Sequence, residues 1–141
     1  MSRREIQEIL QKSKVIAVIG LSRDPKKASH RVSLYMKEHG FTIIPVNPTA
    51  DKILGEKSYK TLDDIPSEIQ KTVDIIDVFR PAENVPSIVA QAIKLRETHG
   101  KPDVIWMQLG IVNEDAAKAA EEAGLSVIVD KCIMIEHKHL G

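Results

Sequence analysis

Apolar residues fall along this chain in two alternating patterns: short continuous runs, and longer stretches at helical spacing. The continuous runs are 15–19, 41–46, 73–79, 103–108 and 125–129. Runs of this length read as strands, and their near-continuous hydrophobicity is what a parallel sheet covered on both faces demands. Between them lie amphipathic stretches. Residues 3–12 carry Ile6, Ile9 and Leu10 among charges, and 28–39 carry Val32, Leu34, Tyr35 and Met36. Residues 84–98 place Val85, Ile88, Val89, Ala92, Ile93 and Leu95 largely on one side, and 114–123 is alanine-rich. Gly40 and Gly124 stand where the helices 28–39 and 114–123 should stop. Residues 55–59 form a candidate short edge strand, a turn of helix follows near 62–65, and the tail 131–140 is in part helical. Strands alternating with helices at this spacing predict right-handed βαβ units. The expected fold is α/β: a doubly wound, mainly parallel sheet of five main strands plus that short edge strand, with helices on both faces. No repeat, low-complexity tract or linker divides the chain, so residues 1–141 are expected to form a single domain.

In open sheets of this kind ligands bind beyond the carboxyl ends of the strands, where the strand order switches direction. The loops that matter are then 20–31, 47–54, 79–85, 108–113 and 130–133. In the first, Gly20 permits a sharp turn and close approach of a ligand. Ser22 and Ser29 offer hydroxyls, and Ser29 is a good helix N-cap residue. Arg23, Lys26, Lys27 and Arg31 crowd cations at the expected helix start, where they oppose the helix dipole. A phosphate would reconcile them, with Arg31 as the favoured bidentate partner. The plain alternative is a solvated, lysine-rich turn. The dinucleotide pattern G-x-G-x-x-G is absent beyond its first glycine, and Asn47 stands where an NAD site carries an acid. Asn47-Pro48 either lines an adenosine-sized slot or is an ordinary turn.

Phe79 can wall an apolar channel, and Arg80 either reaches a phosphate or lies on the surface. Trp106 reads as core, whereas Leu109 and the Gly110 backbone face the ligand side. Cys132 follows the last strand, either as a thiol activated by Lys131 and a helix start or as an inert, half-buried one. The five histidines show no metal-ligand spacing, and His137 with His139 reads as a terminal surface pair. No Ser-His-Asp order, glycosidase carboxylate pair or GxxxxGK[ST] loop is found. Lysine plus arginine and aspartate plus glutamate number 20 each, a balance that argues against nucleic acid. No apolar run approaches a membrane span, and the charged N-terminus lacks a signal peptide's apolar core. With its single Cys132, the chain fits a cytoplasmic protein.

Five segments then carry a resemblance: AVIGLS with ASHRV, IIPVNP, GEKSYKTLDDIP, VDIIDVFRPAENVP, and WMQLGIVNEDAAKAAEEAGLSVIVDKCIMIEH. In this order and register the chain resembles, nearly end to end, the small single-domain CoA-binding proteins, a Rossmann-like family. It is also similar to the CoA-binding domain of the succinyl-CoA synthetase α-subunit and of related acyl-CoA synthetases. The resemblance implies that Gly20, Leu21, Ser22, Ser29 and Arg31 hold the CoA pyrophosphate. It implies that Val46, Asn47 and Pro48 border the adenosine, with Lys52 as a cation for the 3′-phosphate. Phe79, Arg80 and Val85 would follow the adenine edge or pantetheine, and Leu109, Gly110 and Cys132 would lie toward the thiol. The first loop departs from the synthetase-type domains, carrying Arg23-Asp24-Pro25 where they carry further glycines.

The function expected is binding of CoA or an acyl-CoA as a small-molecule ligand, without catalysis, because the synthetases' other domains are not supplied by 141 residues. Two alternatives remain: a thiol-redox protein that forms a mixed disulfide between Cys132 and CoA, and an NAD(P)-dependent enzyme on the same fold. A protein partner, or a homodimer through exposed apolar positions of the N-terminal helix, is a further expectation.

Overall fold

In the computed structural model, which describes residues 1–140, Ser2 opens the first helix with a reciprocal cap. Its hydroxyl accepts the Glu5 N–H while the Glu5 carboxylate accepts the Ser2 N–H, fixing α1 at Arg3–Lys12. There follow β1 (Val15–Ile19), α2 (Ala28–Glu38), β2 (Thr42–Val46), β3 (Lys52–Ile53), β4 (Glu56–Lys57) and a 3-10 turn, Leu62–Asp64. The chain continues with α3 (Ser67–Gln70), β5 (Ile75–Val78), a 3-10 turn Ala82–Asn84, and α4 (Val85–His99). It ends with β6 (Val104–Met107), α5 (Glu114–Glu122), β7 (Ser126–Ile128) and α6 (Ile133–Lys138).

The main sheet runs in the order β2-β1-β5-β6-β7 with every pair parallel. The chain moves outward from β1 to β2, then crosses back to β5 on the other side. This places the switch in strand order between β1 and β5. Side chains alternate across the sheet with the strand period of two. Ala17, Ile19, Ile76, Val78, Ile105 and Met107 pack under α4 and α5. Ile16, Val18, Ile75, Val104 and Trp106 pack under α1, α2 and α6. The expected five-stranded, doubly wound α/β fold is therefore the observed one.

Two expectations need correction. Residues 55–59 do not form one edge strand. Glu56–Lys57 folds back antiparallel on Lys52–Ile53, and only Tyr59 joins the sheet, bridging Val46 through Tyr59 N–H to Pro45 O (3.0 Å) and Asn47 N–H to Tyr59 O (2.9 Å). The hairpin turn is Leu54-Gly55, both at positive φ (54° and 77°), a two-residue loop geometry that normally signals itself by Asn or Gly. Here Lys37 holds the turn instead, donating to the Leu54 carbonyl and pairing with Glu56 at 3.0 Å. The second correction concerns α1. Ile6, Ile9 and Leu10 are only 2%, 6% and 2% exposed, so the apolar positions expected to be exposed on this helix are packed into the core.

Candidate ligand site at the carboxyl end of the sheet

Gly20 ends β1 at the switch point with φ +86°, and its N–H donates to Val46 O at 2.9 Å. A Cβ here would come within 2.9 Å of Arg80 Cδ and 3.1 Å of the Phe79 carbonyl. Glycine is therefore favoured twice, by the dihedral and by the backbone carbonyl of Phe79, with the arginine stem lying over the turn. Beside it opens a cleft of about 290 Å³. Gly20 and Ile19, Val46 and Pro48, Lys60 and Thr61, and Arg80 with Asn84, Ser87 and Ile88 line it. Of the residues expected from sequence, Gly20, Val46, Pro48 and Arg80 meet in this cleft.

Lys60, Thr61, Asn84 and Ser87 were not among them. Thr61 caps the 3-10 turn through Asp64, and Asn84 and Ser87 begin α4, so polar residues at helix starts were the signal to follow.

The first loop is knit internally. The Ser22 N–H donates to Ser29 Oγ (3.0 Å), the Asp24 N–H to Ser22 Oγ (3.0 Å), and the Lys26 N–H to Asp24 Oδ1 (2.9 Å). Ser29 is not the N-cap. Lys27 is, Ser29 sits inside the first turn, and its buried hydroxyl is spent on Ser22. Consequently α2 starts with no side-chain cap and no acid in its first turn. By contrast α5 has Asn113 as its cap, accepting the Ala116 N–H at 3.0 Å, with Glu114 and Asp115 following. Arg31 is exposed and lays its guanidinium on the Lys26 carbonyl.

Other expected residues are placed differently. Leu21 and Val85 are fully buried in the core, so only their backbones reach the carboxyl end. Asn47 turns its amide inward: Nδ2 donates to Leu21 O at 2.9 Å, and Oδ1 accepts the N–H and hydroxyl of Thr49. It staples two loops together. Lys52 is exposed on the hairpin, and the lysine that lines the cleft is Lys60. Phe79 is half-buried against the α1/α2/α6 side of the core. Leu109 is 60% exposed beside Gly110, whose N–H donates to Asp130 Oδ1 at 2.7 Å. Cys132 is 7% exposed and packed among apolar side chains, and Trp106 is wholly buried with its indole N–H on Lys131 O. His137 is half-buried rather than on the surface, bonded through Nδ1 to the Tyr35 hydroxyl at 2.8 Å. Burial, with His39 nearby, lowers its pKa.

One acid escaped the sequence reading. Asp77, 1% exposed in β5, accepts from Gln108 Nε2 at 2.6 Å. Burial pushes its carboxyl up to about 7 against the pull of that hydrogen bond. Its signal was a carboxylate set inside an otherwise apolar strand.

Comparisons with known proteins identify the family and the fold. A family model described as "CoA binding domain" matches residues 14–138. "Uncharacterized protein YneT" of Bacillus subtilis is 45% identical over 136 residues, covering 96% of this chain and 94% of that protein. "Acetate--CoA ligase [ADP-forming] II" of Archaeoglobus fulgidus is 42% identical over 80 residues, 55% of this chain but 11% of the ligase. The solved structure of "cell-free ID.343 from Thermus thermophilus" superposes with a TM-score of 0.89 at 36% identity, covering all of both chains. With the family model spanning residues 14–138 and the Bacillus subtilis relative matched along nearly its whole length, this chain belongs to the CoA-binding domain family.

Proposed function

We propose that the chain binds CoA or an acyl-CoA without catalysis of its own, holding the pyrophosphate where residues 20–22 meet the start of α2. The observation that carries this reading is the pairing of a Gly20 turn that strains any other residue with a helix start left open to an anion. Arg80 lies over the same turn and supplies the cation. The cleft bordered by Val46 and Pro48 takes the adenosine, and Lys60 at its wall replaces Lys52 as the partner of the 3′-phosphate. Pantetheine then runs past Phe79 toward Leu109 and Gly110. The archaeal relative named as an acetate–CoA ligase supports CoA as the ligand. Cations, hydroxyls and amides dominate the polar lining of the cleft, which suits holding a ligand rather than transferring protons.

Neither alternative gains support. Asn47 stands where a dinucleotide ribose would need an acid, and its amide is already bonded to Leu21 and Thr49. Cys132 packs into the core, which does not favour a mixed disulfide.

Thermal unfolding with added ligand tests the proposal, since a ligand at a hundredfold excess over its Kd stabilises the native state by about 2.7 kcal/mol. CoA and acetyl-CoA should raise Tm by several degrees while NADH leaves it unchanged. A shift with NADH alone, or none with either CoA species, overturns the reading.

A further inference from the structure

Asp77 is the acid the ligand reading leaves unused, and its position ties it to the outer loops. It pairs in register with Val18 on β1 and Trp106 on β6, and its side chain lies on the face covered by α1, α2 and α6. The buried face of α1 is aliphatic, and that of α2 adds only the hydroxyls of Ser29 and Ser33. The α6 side contributes the buried Cys132 thiol, and β1 and β6 contribute no charge. Titratable groups that are half-buried on these helices are His30, Tyr35 and Lys37 on α2, and Glu136 and His137 on α6. Gln108 is the one hydrogen-bond partner of the Asp77 carboxyl among the described residues.

Gln108, 3% exposed, is also the foot of the next loop. Its N–H donates to Val78 O at 3.3 Å, and its carbonyl accepts the Ile111 N–H at 3.0 Å, closing a turn with Gly110 at φ +80°. The turn therefore stands on two acids, Asp77 inside through Gln108 and Asp130 outside through the Gly110 N–H. At its crest Leu109 is exposed.

Resting on the CoA reading, we propose that Asp77 is a positioning residue for the pantetheine arm: through Gln108 it seats the 108–111 turn, and its charge state sets how firmly Leu109 and Gly110 are held against that arm. The 2.6 Å contact joins the Asp77 carboxyl directly to the Gln108 amide, so a change in the acid's charge acts on that amide first. Burial brings the ionisation of this acid to about 7, so both forms are populated around neutral pH. Ionised, Asp77 grips Gln108. Protonated, it accepts more weakly and can donate, which frees the Gln108 amide to turn and loosens the loop it anchors.

The test compares CoA with a truncated analogue, adenosine 3′-phosphate 5′-(methyl diphosphate), which carries the adenosine and all three phosphates in the same ionisation but no pantetheine. Titration of the ligand phosphates or of surface histidines then affects both probes and divides out. In the wild-type protein the ratio of CoA affinity to analogue affinity should rise about fivefold from pH 6 to pH 8. Asp77→Asn should flatten that rise and leave analogue affinity unchanged. Gln108→Met keeps the acid but removes the donor; it should also abolish the rise, and it serves if the Asn variant fails to fold. A ratio in either variant that still climbs with pH overturns the proposal, as does a parallel loss of both probes. If the wild-type protein binds neither probe, the CoA reading itself fails.

Discussion

The two ends of the parallel sheet are built on opposite rules. At the amino end, charges find partners within the chain. Asp74 accepts the N–H groups of Lys14 and Val15 at 2.8 and 3.0 Å and binds Lys101 at 2.9 Å. Lys101 also reaches Asp103, which meets Arg96 at 3.4 Å. At the carboxyl end, Arg23, Lys26, Lys27, Arg31, Lys60 and Arg80 form no ion pair among the described residues. One end closes the fold with its own charges. The other keeps cations and an uncapped helix start that something from outside can satisfy, and the difference separates residues that hold the sheet together from residues that the proposed function assigns to a ligand.

The sharpest contrast is in pH. Burial raises Asp74, yet the Lys14 and Val15 N–H groups and Lys101 outweigh it and hold the carboxyl below its ordinary value. Its contribution is present above the unfolded pKa and is lost as pH falls. Asp77 runs the other way. With a folded value of about 7 against 3.8 unfolded, its contribution is complete below pH 4 and declines until pH passes 7. The difference amounts to about 4 kcal/mol. Denaturant unfolding from pH 5 to pH 8 should show wild-type stability falling relative to Asp77→Asn; parallel profiles would break the contrast.

Next in size are two substitutions, one at each end. Gly20→Ala drives a Cβ against Arg80 and the Phe79 carbonyl at a left-handed φ, and should weaken CoA binding about a hundredfold. Asp74→Ala should cost about 2 kcal/mol of stability while CoA affinity of the folded protein stays within about twofold. Calorimetry on both variants checks the separation, and a loss of affinity in Asp74→Ala as large as in Gly20→Ala would erase it. The smallest effect is assigned to Arg31→Ala. Its guanidinium already rests on the Lys26 carbonyl and it is exposed, so affinity should fall by only about two- to threefold. A tenfold fall in the titration would restore Arg31 as the principal phosphate ligand.

How far the sequence reaches follows from the kind of signal each feature sends. The strands and the long helices are legible because burial on both faces writes itself as unbroken apolar runs and as helical periodicity. Gly20 and Arg80 are legible because both lie where a strand ends. The Lys52–Lys57 hairpin is hidden because Leu54, held at positive φ by Lys37, carries no turn signature. Ser29 has the chemistry of a cap, but the loop spends its hydroxyl on Ser22, which only the folded path of residues 22–29 reveals. Leu21, Val85 and Cys132 flank the right loops while their side chains point into the core, because burial next to a turn depends on which way each side chain faces. Lys60 enters the site through Tyr59 bridging to Val46, a contact between residues distant in sequence.

The central claim, that the carboxyl end is a CoA-binding device, meets its most direct test in calorimetric titration of CoA into the wild-type protein. The account predicts saturable one-site binding whose affinity falls as salt is raised, because unpaired cations meet phosphates. No heat from CoA, confirmed as no binding by equilibrium dialysis at the same concentrations, would contradict it.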